Sequence, residues 1–360
     1  MKPLVLAASF LCAVCTAVAF GLSAFAKEPV VQTTSAAAAI PVEGWLPSLE
    51  GANGWVHSEP LTPAMLRGKV VLVDFWTYTC INWQRTEPYV RAWAEKYRDS
   101  GLVVIGVHTP EFEFEKLPDN VRAGIEAFRV GYPVAIDNDY AIWRAFDNRY
   151  WPAIYIADAN GRVRYHQFGE GAYARTEAVI RQLLREAGHP PAGDDVARPD
   201  ARGSEVAADW ENLRSGENYL GAGRSDGFVS VTDLGRRRGD HDPRTALRRN
   251  EWTLVGDWTI RPDAVALEKP GGRIVYRFHA RDVHLVMGPP MPGAAVHFRV
   301  LLDGHRPGRD HGTDIDDAGN GTATGQRLYQ LIRQSGPIAD RVIEIKFLDP
   351  GIDAYVFTFG

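Results

Sequence analysis

The run Val70-Val71-Leu72-Val73-Asp74-Phe75 is apolar at every position but one and carries no polar face. Such a segment fits a strand covered on both sides, which belongs to a parallel or mixed sheet flanked by helices. The residues that follow keep to this α/β pattern. From Ile81 to Tyr97 the side chains Tyr89, Trp93 and Tyr97 recur every four residues, one face of a helix. Leu102 to Val107 reads as a second buried strand, and Asn120 to Phe128 as a helix opened by Pro118-Asp119. Ala153 to Ala157 and Arg162 to Phe168 flank Asp158-Ala159-Asn160-Gly161, a hairpin turn. Thr176 to Ala187 closes the block as a helix that stops at Gly188. The block spans residues 42–187.

Residues 188–204 are rich in Pro, Gly, Asp and Ala without apolar period, as in a linker. Beyond it the period changes to two. Ile274, Tyr276 and Phe278 alternate with Val275, Arg277 and His279, and Val296, Phe298 and Val300 alternate with His297 and Arg299. Residues 205–360 therefore read as an all-β, jelly-roll-like antiparallel sandwich, nearly without helix signals.

The formal net charge of −5 comes with no basic stripe, so a nucleic-acid partner is not expected. Arg236-Arg237-Arg238 and Arg248-Arg249 read as solvated loop charge. Residues 1–26 form a signal peptide or an uncleaved anchor: Met1-Lys2 precedes an uncharged apolar stretch ending in Ala24-Phe25-Ala26. Residues 27–41 follow as a flexible tether. Export to a periplasm or cell surface is expected under either reading, with membrane attachment through the apolar segment where it stays uncleaved. Cys12 and Cys15 lie inside that segment, which leaves Cys80 as the lone thiol of a cleaved chain. A single thiol forms no internal disulfide.

Cys80 falls where the buried strand, ending at Trp76, gives way to the helix beginning at Ile81. At a helix start, free backbone N–H groups and the positive end of the helix dipole favour a thiolate. This placement points to a reactive cysteine.

Asp74-Phe75-Trp76 ahead of Cys80, Pro88 within the helix and Pro152 in Tyr150-Trp151-Pro152-Ala153 stand in the order and spacing of the thioredoxin superfamily, which the stretch resembles. The resemblance implies that Asp74 is the family's buried carboxylate, that Pro88 kinks the first helix, and that Pro152 is a cis-proline facing the cysteine with a backbone edge. Val70 to Phe114 and Tyr150 to Gly171 look like the periplasmic portion of DipZ-type proteins, relatives of TlpA-like redoxins. Phe278-His279-Ala280-Arg281-Asp282-Val283-His284-Leu285 and Phe347-Leu348-Asp349-Pro350-Gly351 extend the likeness through a carbohydrate-binding-like module. DipZ-type proteins usually carry a multi-helix membrane domain as well, whose helices this sequence lacks.

One departure matters most. Where the family has its resolving cysteine, this chain has Trp83. A mixed disulfide formed at Cys80 then has no internal thiol to release it, and Asp74 loses the group it would deprotonate. The expected function is single-thiol chemistry (a monothiol reductase, an isomerase or a peroxide-reactive thiol) on protein thiols or disulfides, reset by an external reductant or resolving thiol. Cys80, Asp74 and Pro152 are the expected catalytic residues, with Trp76, Thr77, Trp83 and Trp151 beside them. Thr77 echoes the peroxide-orienting threonine of peroxiredoxins, but Val73 replaces the proline of that motif, so a turn role is expected. No cofactor is expected. The alternative is a catalytically degenerate scaffold whose sandwich binds glycan or a partner protein, with Trp210, Tyr219, Trp252 and Trp258 as stacking candidates.

Two patterns resemble metal sites. His108-Thr109-Pro110-Glu111 with Glu113 and Glu115 has no second histidine at ligand spacing and reads as a solvated loop. Asp314 to Asn320 begins like a calcium loop, but Ala318 occupies a ligand position and no Glu closes it, so a hairpin is expected.

Overall fold

The computed structural model describes residues 39–238 and 242–360. The expected signal peptide or anchor and nearly all of the tether lie outside the described residues. Among the described residues no helix is long and apolar enough to cross a membrane.

The first half contains β1 (Gly44–Trp45), β2 (Gly54–Val56), β3 (Val70–Trp76), α1 (Ile81–Tyr97) and β4 (Leu102–His108). It continues with α2 (Pro118–Ala127), β5 (Val134–Ile136), α3 (Ala141–Ala145), β6 (Ala153–Ala157), β7 (Arg162–Phe168) and α4 (Tyr173–Glu186). Its seven strands form one mixed sheet in the order β1-β7-β6-β3-β4-β5-β2. β3 lies at its centre, parallel to β4 and antiparallel to β6, and all seven of its residues are buried. That burial explains the unbroken apolar run: both faces are covered, so neither can carry polar groups without partners. The fold is thioredoxin-like. Pro88 lies inside α1 and withholds one N–H from the helix ladder.

The second half opens with β8 (Asn218–Tyr219), α5 (Val231–Arg238) and α6 (Pro243–Ala246). Strands β9 (Trp252–Val255), β10 (Trp258–Ile260), β11 (Val265–Leu267), β12 (Arg273–Phe278) and β13 (Asp282–Gly288) follow. The last are β14 (Val296–Leu302), β15 (Asn320–Ala323), β16 (Arg327–Arg333), β17 (Arg341–Phe347) and β18 (Asp353–Phe359). Two antiparallel sheets result, β10-β11-β18-β13-β16 with β8 on β18, and β15-β14-β17-β12-β9. The aromatic and β-branched residues on their facing sides, among them Tyr276, Phe298, Phe347 and Phe357, make its core. Trp252 is part of that core and Trp258 packs against it, so neither offers a free stacking face. Trp210 is exposed. Arg236–Arg238 lies on a short helix, not the expected loop.

The two halves share apolar packing. Val286, Leu328, Tyr355 and Val356 of the second belong to the same buried cluster as Trp83, Val90 and Ile125 of the first. The rings of Phe112 and Phe114 lie 5.1 and 4.8 Å from that of Tyr355. Arg85, 2% exposed, pairs with Glu170 at 3.1 Å and donates to the Phe359 carbonyl at 3.1 Å. The stretch read as a linker is held along the helices. Arg181 donates to the carbonyls of Gly193 and Asp195, Arg91 to that of Asp200, and Glu177 accepts from the Ala197 amide.

Candidate functional site

Cys80 is the N-cap residue of α1, with extended backbone (φ −71°, ψ 113°) and its carbonyl accepting the first helical bond from Gln84 N at 3.0 Å. The Trp151–Pro152 segment approaches it from elsewhere in the fold. The Trp151–Pro152 peptide bond is cis, and the Cys80 thiol donates to the Trp151 carbonyl, Sγ to O 3.8 Å. The Trp151 indole donates to the Thr109 carbonyl at 3.0 Å, which fixes this segment against the end of β4.

Trp83 fills the position three residues after Cys80, and it does more than occupy space. It is fully buried, stacks on Trp76 (ring centroids 4.2 Å apart, 21° between planes) and meets Phe128 edge to face. Its Nε1–H donates to Asp74 Oδ2 at 3.0 Å. Asp74 is also fully buried, and Oδ1 has no hydrogen-bond partner. Burial pushes its carboxyl up to about 8, against the opposing effect of the Trp83 bond. The expected loss of a client for Asp74 is therefore made good by an indole. Gly106 permits the arrangement, because a Cβ there would lie 2.7 Å from Trp76 Nε1. Thr77 is buried and its hydroxyl oxygen is sealed from solvent.

The stretch from His108 to Glu115 corrects the reading of a solvated loop. His108 is fully buried between Trp76 and Tyr78, and burial lowers its imidazole to about 3. Glu115 is also fully buried. It accepts from the Thr79 hydroxyl at 2.5 Å and from the amides of Glu111 and Phe112 at 2.6 and 2.9 Å. The residue next to Cys80 is thereby tied to the loop after β4. Glu111 in turn accepts from Tyr219 Oη at 2.6 Å and Arg224 at 3.0 Å, both from the second half. Glu217 Oε2 lies 3.2 Å from the same Tyr219 hydroxyl and shares its single proton with Glu111.

Burial, joined by two of these carboxylates, reverses an expectation. The Cys80 thiol is partly exposed, yet burial first, then the charges of Glu217 and Glu111, push it well above the ordinary cysteine value. The Trp83 and Asn82 amides at the helix start act in the opposite direction and are outweighed. The resting thiol is protonated. Among the described residues no group of three or more His, Cys, Asp or Glu is placed to hold a metal ion. Asp316 instead accepts from the amide and side chain of Asn320.

Two families match this chain: the AhpC/TSA family over residues 46–166 and the "Thioredoxin like C-terminal domain" over residues 215–360. The chain belongs to the thioredoxin-like redoxins. It is 41% identical to Protein DipZ of Mycobacterium tuberculosis and of Mycobacterium bovis over 250 residues, 68% of this chain and 35% of each relative. It thus spans about a third of the length of these DipZ relatives. It is 29% identical over 141 residues to the thiol-disulfide oxidoreductase YkuV of Bacillus subtilis, 39% of this chain and 95% of that protein. Among solved structures, it is similar to a thioredoxin-like protein in the oxidized form, at 30% identity and a TM-score of 0.37. That match covers 40% of this chain and 96% of the other.

Glu111, Glu115, Glu217 and Arg224 were not found as site residues from the sequence. Glu111 and Glu115 alternate with Phe112 and Phe114, a pattern that signals partial burial. Nothing around Glu217 marks it.

Proposed function

We propose that this protein is an exported monothiol exchange protein in which Cys80 attacks disulfides and an external thiol resets it. The observation that carries this reading is the thiol at the start of α1, 3.8 Å from the Trp151 carbonyl, with Trp83 in the resolving position. The relatives named as thiol-disulfide oxidoreductases support it. Asp74 and Pro152 belong to the site, Asp74 through its bond to Trp83 and Pro152 through the cis segment beside the sulfur.

The chemistry is redox-neutral exchange. The Cys80 thiolate attacks one sulfur of the substrate, the Sγ–S bond forms, the substrate S–S bond breaks, and the departing thiolate takes a proton from water. A second thiol from outside then attacks the mixed disulfide and returns Cys80 to its reduced form. The raised thiol makes this slow at neutral pH unless the site's charge changes on binding.

Incubating the reduced protein with a disulfide-bonded peptide and following intact mass tests the reading. A peptide adduct that persists without added thiol and disappears on adding glutathione is expected. A native, reduced chain that forms no adduct up to pH 9 would favour the scaffold alternative.

A further inference from the structure

We propose that Glu217, carried by the second domain, is a specificity-determining residue that selects disulfides with a cationic group near the reacting sulfur. This rests on the exchange reading of Cys80. The two carboxylates whose charges reach the thiol differ in how they are held. Glu111 is bound by Tyr219 and by the Arg224 guanidinium, which also lies 3.5 Å over the Tyr219 ring. Its charge is compensated locally. Glu217 shares the Tyr219 hydroxyl at 3.2 Å and forms no ion pair among the described residues, the Arg224 charge reaching it only at longer range. It is the less compensated of the two carboxylates, joined to the Cys80 end of α1 through Tyr219, Glu111, Glu115 and Thr79.

The remaining neighbours add no free charge. Glu115 is enclosed by three donors, and His108 is neutral. The Asn82 and Trp83 amides favour the thiolate, and Trp151 O accepts from the thiol. A substrate ammonium or guanidinium beside Glu217 would offset the charge that opposes ionisation and so assist the attack of Cys80. An anionic substrate would add to that opposition. Although Glu217 as a residue is exposed, burial around its carboxyl and then the charge of Glu111 push it up to about 7 against Tyr219 and Arg224, so the selection strengthens as pH rises through neutrality.

Three small disulfides serve as charge probes on the reduced full chain: cystamine (cationic), 2-hydroxyethyl disulfide (neutral) and 3,3′-dithiodipropionate (anionic). At pH 8 and low salt the cystamine rate is expected to exceed the dithiodipropionate rate by at least roughly tenfold. That ratio should shrink at 0.5 M salt and at pH 6. Glu217→Gln should bring it down severalfold and speed the neutral reagent, and Glu217→Lys should invert the preference. An unchanged ratio in a folded Glu217→Gln variant overturns the proposal. So does slower reaction of that variant with the neutral reagent, which would make Glu217 a proton acceptor. If no disulfide reacts with wild type, the exchange reading fails. Alkylation by iodoacetamide against iodoacetate then decides the role of Glu217: the proposal requires Glu217→Gln to narrow the discrimination against iodoacetate, and no change refutes it.

Discussion

Trp83 donates its indole N–H to Asp74 across 3.0 Å of the first half's interior, so the residue that replaces a resolving thiol also satisfies the carboxylate beneath it. The two positions form one unit. Each protects the other from an isolated buried state.

Trp83→Phe should retain most of the stacking on Trp76 but leave both Asp74 oxygens without a partner. An unsatisfied buried acceptor costs about 1–3 kcal/mol. Urea unfolding at pH 7 should show a loss in that range, and Asp74→Asn in the same chain should show non-additive behaviour with it. Simple additivity would mean that the hydrogen bond contributes nothing.

Asp74 makes stability depend on pH in a defined direction. Its folded value of about 8 lies above the ordinary 3.8, so between these limits the folded state holds a proton that the unfolded state has released. Its contribution is present below about pH 4 and is lost as pH rises toward 8. Asp74→Asn should flatten that part of the profile and stabilise the protein at pH 8 by roughly 1–3 kcal/mol. The check is denaturant unfolding of both proteins from pH 5 to 8.5. A variant less stable than wild type at pH 8 would contradict it.

Trp83→Cys places a second thiol three residues after Cys80. Removing so large a buried side chain costs about 3–5 kcal/mol. If the folded variant forms an internal disulfide, substrate adducts should be released without external thiol. A well-folded variant that neither closes the disulfide nor turns over would show that the site has moved beyond redox use.

Arg85→Met removes the pair with Glu170 and the bond to the Phe359 carbonyl, both inside the contact between the halves. Breaking a buried pair on one side costs about 3–5 kcal/mol. The expected outcome in calorimetry is a lower midpoint, with the single transition splitting as the halves lose their coupling. We also propose that residues 204–360 fold alone. Their exposed Val286, Leu328, Tyr355 and Val356 should bind a hydrophobic dye that the full chain does not.

Central strand β3, helix α1 and the position of Cys80 were legible because each depends on neighbours in sequence: an unbroken apolar run, four-residue spacing, and a strand-to-helix junction. The alternating strands of the second half were legible for the same reason. The electrostatic setting of the thiol was not. Glu111 and Glu217 are brought together by Tyr219 after β8 adds to β18, a pairing between Tyr219 and Val356 that no local pattern encodes. Glu115 was misread because an acidic run suggests solvent, whereas three donors enclose it. The thiolate expectation was overturned in the same way, since helix-end effects are local while the burial and the carboxylates that oppose them come from across the fold.

The order of synthesis gives the shared apolar cluster a further meaning. Domains fold largely as units, N-terminal first, as the chain is made. If the first half folds as it emerges, it assembles around Cys80 before Glu217 and Tyr219 have been made. During that interval the sulfur lacks one of the carboxylates that later suppress its ionisation. On that order a newborn chain would pass through a stage with a more readily ionised thiol, ended only when β8 can pair with β18.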